Sequence, residues 1–360
     1  MPMKSLYADL FLIGFEGGQP PVPPGLERVP WAGFIFAQHN IPADRAQLRD
    51  ACARTIAMYE ERGIAPPVLA IAHEGGSVHH LGELATCFPL PGFLPDRRFP
   101  EVARITRQQA LELRHLGFNF LFGPVYDISP ESQRVRTGTI LKRRTWGRFP
   151  LVVATRAEAA RVAFANEGLM PCALHFPGMG TAMAAPKSCE MSIPVVEQPF
   201  VEWADKDALP FFTAVKGGVH AMLMGNFIHT AKDARQPVPL SSAWLKILRR
   251  EWNYAGTILS DDLVALSQRL NRPLIEVVVE AFEAGVDLVQ LRMGAESAGE
   301  LDCLINRLEE ESGDNLRLAR RLDAARARVL QLRRGLAPMP KEAPEELFLE
   351  GRRLKAEVEH

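Results

Sequence analysis

Eight short apolar runs constrain this chain more than any other feature. They are Leu10–Gly14, Gly33–Ala37, Val68–Ala72, Asn119–Gly123, Pro171–His175, Ala221–Met224, Thr257–Ser260 and Leu288–Leu291. Each is continuous instead of alternating, as parallel strands covered on both faces are. Amphipathic stretches lie between them: from Asp44 to Arg62, Leu48, Cys52, Ile56 and Tyr59 fall on one helical face. A second helix is expected to begin at an N-cap near Thr155 and to stop near Gly168. Eight strands, each followed by helical sequence, in about 300 residues predict an α/β fold, a (β/α)8 barrel of the TIM type. A doubly wound open sheet is the alternative, and no Gly-x-Gly-x-x-Gly turn supports it.

The barrel is expected over residues 1–335, followed by a charged, Pro-containing tail over 336–360. The tail, "LAPMPKEAPEELFLEGRRLKAEVEH", reads as a linker and a short helix that docks on the barrel or frays. The preceding helix, Leu316–Arg334, gathers arginines toward its end, where they complement the helix dipole, and reads as a solvated face. A formal charge of −1 gives no electrostatic footprint for nucleic acid or an anionic membrane, so neither is expected as a partner. Five cysteines without a Cys-x-x-Cys spacing suggest neither a zinc knuckle nor a disulfide framework. Reduced thiols point to the cytoplasm. The N-terminal apolar run is short and interrupted by Asp9, and reads as a core strand instead of a leader. No run is long enough to span a bilayer, and no cofactor or metal is expected.

Function in such a barrel gathers at the C-terminal ends of the strands. The second to eighth runs end there in "FAQHN", "AHEGGSVHH", "GPVYDIS", "HFPGMG", "MGNFIH", "SDDL" and "QLRM". Polar and Gly-rich residues at successive strand ends are what a pocket at one barrel mouth produces. Asp261, closing an apolar strand, is a carboxylate facing that pocket or, alternatively, a cap for the helix that follows. His73, His79 and His80 form a donor cluster or a polar surface loop. His175 is a ligand donor or a core histidine satisfied internally.

The same segments resemble glycoside hydrolase family 3, in particular its bacterial β-N-acetylhexosaminidase branch. "LAIAHEGGSVHHL" is similar to that branch's Asp-Gln-Glu-Gly-Gly-Arg segment. "LRHLGFNFLFGPVYDIS" is similar to its Gly-Ile-Asn…Ala-Pro-Val-x-Asp-Val strand. "HFPGMG" resembles Lys-His-Phe-Pro-Gly-His-Gly, and "GTILSDDL" resembles the nucleophile strand. The matches run in the family's order from about residue 8 to 310. The resemblance implies a retaining glycosidase acting on a carbohydrate, with Asp261 as nucleophile and a glycosyl-enzyme intermediate. It implies substrate contacts from Arg144 and His175, with His73 and Asn226 at further matching positions. Glu74, Asp127 and Asp262 take structural roles in it.

Several positions depart from the family pattern. Ala72 stands for a sugar-holding Asp, Leu174 for a Lys, and Met179 for a His. The branch's Asp-Ser-His acid/base triplet aligns with Ala185, Pro186 and Lys187. A positioned general acid/base contributes about 10²–10⁴-fold, so its loss implies either a replacement or a changed function. Lys187 and Glu190 are the candidate replacements. The alternative to hydrolysis is a catalytically impaired descendant that binds a sugar or a protein, and transfer to an acceptor other than water is a third reading.

Overall fold

The computed structural model describes residues 7–15, 29–93, 99–130, 139–141, 143–183, 192–292, 298–342 and 344–359. Eight parallel strands close into a barrel in sequential order: β1 (Phe11–Gly14), β2 (Gly33–Phe36), β3 (Val68–Ile71), β4 (Phe120–Val125), β5 (Met170–Phe176), β6 (Ala221–Met224), β7 (Thr257–Asp262) and β8 (Leu288–Leu291). The TIM-type reading is therefore correct. Pairing of Phe11 with Val289 joins β1 to β8 and closes the cylinder. Nearly every residue of the strands is buried, which explains why their sequences are continuous in hydrophobicity.

Three strands run further than their apolar runs suggest. β4, β5 and β7 extend through Val125, Phe176 and Asp262, and each carries a register shift near its C-terminal end. An irregularity of this kind re-aims side chains at a barrel rim. It brings Asp261 and Asp262 into β7 itself, and His175 sits one residue from the end of β5.

The helices include α1 (Arg45–Glu61), α2 (Phe99–Leu116), α3 (Pro150–Asn166), α4 (Ala208–Lys216), α5 (Ser242–Lys246), α6 (Leu263–Leu270), α7 (Leu274–Ala284), α8 (Ala298–Asp314), α9 (Leu316–Arg334) and α10 (Glu345–Glu359), with a further short helix at Phe200–Asp205. Asp44 caps α1 by accepting from the Gln47 amide at 2.8 Å. The expected cap of α3 is displaced. Pro150 starts that helix with its fixed φ, while Thr155 lies inside it and donates to the Leu151 carbonyl at 2.7 Å.

Four of the seven arginines of α9 are not part of a solvated face, while Arg317, Arg320 and Arg334 are exposed. Arg333 is buried, donates to the Pro66 carbonyl at 2.9 Å and lies over the Tyr59 ring. Arg326 pairs with Asp9, and Arg321 and Arg328 reach Asp287. Beyond α9, carbonyls of the linker at Ala337, Pro338, Pro340 and Lys341 accept from Arg114 and Arg49. A proline-containing segment has few donors of its own, and these guanidinium groups tie its carbonyls to the barrel. α10 then lies on α2 with Phe348, Gly351 and Leu354 buried. Gly351 approaches so closely that a Cβ there would lie 1.8 Å from the Glu112 carboxylate. Leu354 joins Phe88 and Ile105 in a small apolar cluster.

Candidate active site

The site is built from the C-terminal end of the barrel inward. Asp127, just beyond β4, has no exposed surface and is fully used. Its Oδ2 accepts from the His175 amide at 3.0 Å and from His175 Nδ1 at 2.8 Å, and its Oδ1 accepts from the Met179 amide at 2.6 Å. One carboxylate thus fixes the end of β5, the His175 ring and the Pro-Gly turn after it. The bond to Nδ1 sets the tautomer, turning Nε2 outward as an acceptor. Trp203 holds the same turn from outside by donating to the Pro177 carbonyl at 2.9 Å.

Glu74 and Arg144 form a two-pronged ion pair, with contacts of 2.8 Å from Nε and 2.6 Å from Nη2. Gly75 and Gly76, with φ of +96° and +49°, make the turn that presents Glu74, and a Cβ on Gly75 would strike the Phe88 carbonyl. Arg144 is therefore not a solvated surface arginine. Burial opposes its charge, but Glu74, aided by Asp127 and Asp261, more than offsets this and raises its pKa. Nη2 also lies 3.5 Å from His175 Nε2. Among the described residues Nη1 has no partner, which leaves two donors for a ligand.

Asp261 and Asp262 divide their labour. Asp262 caps α6 through the Val264 amide at 3.1 Å and accepts from the Arg292 amide at 3.1 Å, tying β7 to the residue after β8. Burial, reinforced by the charge of Asp261, raises its pKa. Asp261 makes no cap. Its Oδ1 accepts from the Asp262 amide at 2.8 Å, and the carboxylate lies within the electrostatic reach of Arg144. Asn226, after β6, donates to the Asp262 carbonyl at 2.7 Å, and its buried Oδ1 has no partner among the described residues.

His73 requires a correction. Side chains alternate along an extended hairpin, so a Glu74 directed at Arg144 turns its neighbour away. His73 is 1% exposed, packs against His79 with ring centroids 4.6 Å apart, and its carbonyl accepts from Gln109 of α2. Burial lowers its pKa to about 3. It is a buried ring packed within its own hairpin instead of a donor displayed beside Arg144. His80, passed over with the surface loop, is the member of the cluster that feels both Arg292 and Glu74. Lys187 and Glu190 lie outside the described residues.

One carboxyl escaped the sequence reading. Asp207 precedes α4, accepts from Gln198 Nε2 at 2.7 Å and lies against Gly178 of the Pro-Gly turn. Burial, with Asp127 nearby, raises its pKa to about 6. Its sequence signal is the acidic residue opening the "DALPFF" helix, away from any strand end.

A closed (β/α)8 barrel with a strand-end carboxylate, an Arg–Glu pair and an Asp-held histidine at its mouth has the makings of a carbohydrate-processing site. The chain belongs to glycosyl hydrolase family 3: the family's N-terminal domain model matches residues 31–332. It is 30% identical over 277 residues to a beta-hexosaminidase of Thiobacillus denitrificans, covering 75% of this chain and 73% of that one. A family 3 beta-N-acetylglucosaminidase from Paenibacillus sp. superposes with a TM-score of 0.80 at 24% identity, covering 98% of this chain and 67% of that one. A beta-N-acetylhexosaminidase from Beutenbergia cavernae gives a TM-score of 0.80 at 19% identity, covering 92% and 98%. The chain is a glycoside hydrolase by these relationships, and the two structures support its fold.

Proposed function

We propose that the protein hydrolyses a β-N-acetylhexosaminide with retention of configuration, using Asp261 as the nucleophile. The observation that carries this reading is the separation of roles on β7. Asp262 takes over the capping of α6, and Asp261 remains beside Arg144 without a cap to make. Attack of an Asp261 oxygen on the anomeric carbon forms a glycosyl ester as the bond to the leaving oxygen breaks, and water then hydrolyses the ester. Nη1 of Arg144 supplies paired donors to sugar hydroxyls, and the unpartnered Oδ1 of Asn226 accepts from one. His175, held by Asp127, orients Arg144 and borders the same space. Lys187 or Glu190 delivers the proton to the leaving group. The relatives described above support the N-acetylhexosaminide.

We further place the protein in the cytoplasm, in carbohydrate metabolism. Cys52, Cys87, Cys172 and Cys303 are free thiols, which supports a reducing compartment. No described helix is long and apolar enough to cross a membrane.

The decisive experiment uses a fluorinated N-acetylglucosaminyl donor that traps the glycosyl ester, followed by peptide mass spectrometry. Label on Asp261, with turnover of an aryl N-acetylglucosaminide lost by roughly 10³-fold or more in Asp261→Asn, is expected. Label on another residue, or unchanged turnover in the variant, would exclude Asp261 as nucleophile. Ligand-induced stabilisation without label or turnover would instead favour binding alone.

A further inference from the structure

At the opposite end of the barrel, the N-terminal face holds a cleft of about 880 Å³ bounded by α5, the turn after it, and α9. Three of its lining arginines converge on an oversubscribed carboxylate buried behind them. Asp287, at the start of β8 and with no exposed surface, accepts from Arg249 and from Arg328 at 3.1 Å, while Arg321 lies 3.6 Å away. It also accepts from the Ile258 amide at 2.9 Å. One negative charge therefore faces three guanidinium groups. Burial and mutual repulsion among the arginines lower the pKa of both Arg249 and Arg321.

The rim adds four more cations, Lys246, Arg250, Arg317 and Arg320. Among the described residues, none of these four has a side-chain hydrogen bond or ion pair. Glu283 is the one acidic side chain lining the cleft, and it already accepts from Asn315 at 3.1 Å. In a chain whose formal charge is −1, so local an excess of positive charge stands out. Concavity matters as much as charge, because a recess excludes water and presents guanidinium forks from two sides. A second cavity of about 300 Å³ adjoins this one, sharing Asn253, Tyr254, Ala255 and Arg328. Its other walls include Met170, Val215, Val219 and Leu332.

We propose that this face binds an organic phosphate, with its phosphate groups between the arginines of the cleft and its neutral body in the adjoining cavity. Guanidinium groups pair with phosphate oxygens in parallel bonds, and several of them together suit two or more negative charges. The site is separate from the catalytic mouth, since it lies at the beginnings of β5, β6 and β7.

Calorimetric titration of the full chain at constant ionic strength tests the proposal with pyrophosphate, inorganic phosphate and glucose 6-phosphate. Saturable binding of pyrophosphate at one site per chain is expected, with glucose 6-phosphate binding more tightly than inorganic phosphate. Arg317→Glu/Arg320→Glu should weaken pyrophosphate by about 10-fold or more, because each reversal places repulsion at the rim. Both residues are exposed and unpartnered, so the double variant removes no contact of the fold. Non-saturable heats, or unchanged affinity in the double variant, would overturn the site. Glucose 6-phosphate no tighter than inorganic phosphate would overturn its two-part form, and poly-glutamate binding more tightly than pyrophosphate would overturn the small-molecule reading.

Discussion

The two ends of the barrel each centre on a carboxylate with no exposed surface, and they are built to opposite purposes. At the mouth, Asp127 faces two backbone amides and one imidazole, and the nearby guanidinium of Arg144 already has Glu74 as its counter-charge. At the base, Asp287 faces three arginines and a single amide. The first arrangement orients groups and leaves hydrogen-bond donors over, which suits a neutral sugar. The second holds cations together that would otherwise repel, which suits stability and an anion.

Removing the two charges in parallel breaks or sharpens that contrast. Asp287→Asn leaves three clustered guanidinium groups without a counter-charge, and should cost about 3–5 kcal/mol in urea unfolding while the folded fraction keeps its turnover. Asp127→Asn should cost less stability, about 1–3 kcal/mol, but lower kcat/KM by roughly 10²-fold because the His175 ring loses its fixed tautomer. Equal loss of stability and activity in both variants would show that the ends are not distinct in the way described.

Arg144→Lys tests whether the mouth depends on a forked donor or only on a positive charge. A lysine cannot form both contacts to Glu74 and also present paired donors, so KM should rise about 10-fold with a smaller change in kcat. An unchanged KM would assign the pair to the fold alone.

A further expected effect is a pH dependence. Asp207 has a folded-state pKa of about 6, above its ordinary value of 3.8. The native state therefore binds its proton more tightly than the unfolded chain does. This contribution to stability is fully present below about pH 4 and is lost as pH rises toward 6. Asp207→Asn should remove that decline, which amounts to about 1–3 kcal/mol between pH 4 and 7. Identical stability–pH curves for parent and variant would place the carboxyl in a more solvated setting.

What the sequence revealed follows from where the determining forces are local. All eight strands were legible because burial on both faces leaves a continuous apolar run, as at Ala221–Met224. The ends of β4, β5 and β7 were not, since a register shift depends on the neighbouring strand. Pro150 outranked Thr155 in starting α3 because a fixed backbone angle decides more than a hydroxyl in a permissive position. Asp261 and Arg144 were found through motif resemblance, whereas hairpin alternation was needed to see that His73 turns inward. The Asp287 cluster was invisible, because Arg249, Arg321 and Arg328 meet only once the barrel has closed, and α9 alone looks like an ordinary charged helix. Asp207 was missed for a similar reason: its partner, the turn at Gly178, is brought to it by the fold.

The docking of α10 has a consequence for the order in which the molecule is made. Leu354 completes the apolar cluster with Phe88 and Ile105, and Gly351 covers the Glu112 carboxylate that holds Thr86. Those partners belong to the wall behind the hairpin bearing Glu74, which leaves the ribosome long before Leu354 is synthesised. Synthesis runs from the N-terminus, so earlier segments leave the ribosome before later ones. A nascent chain can thus have all eight strands synthesised while the backing of its Glu74 loop is still bare.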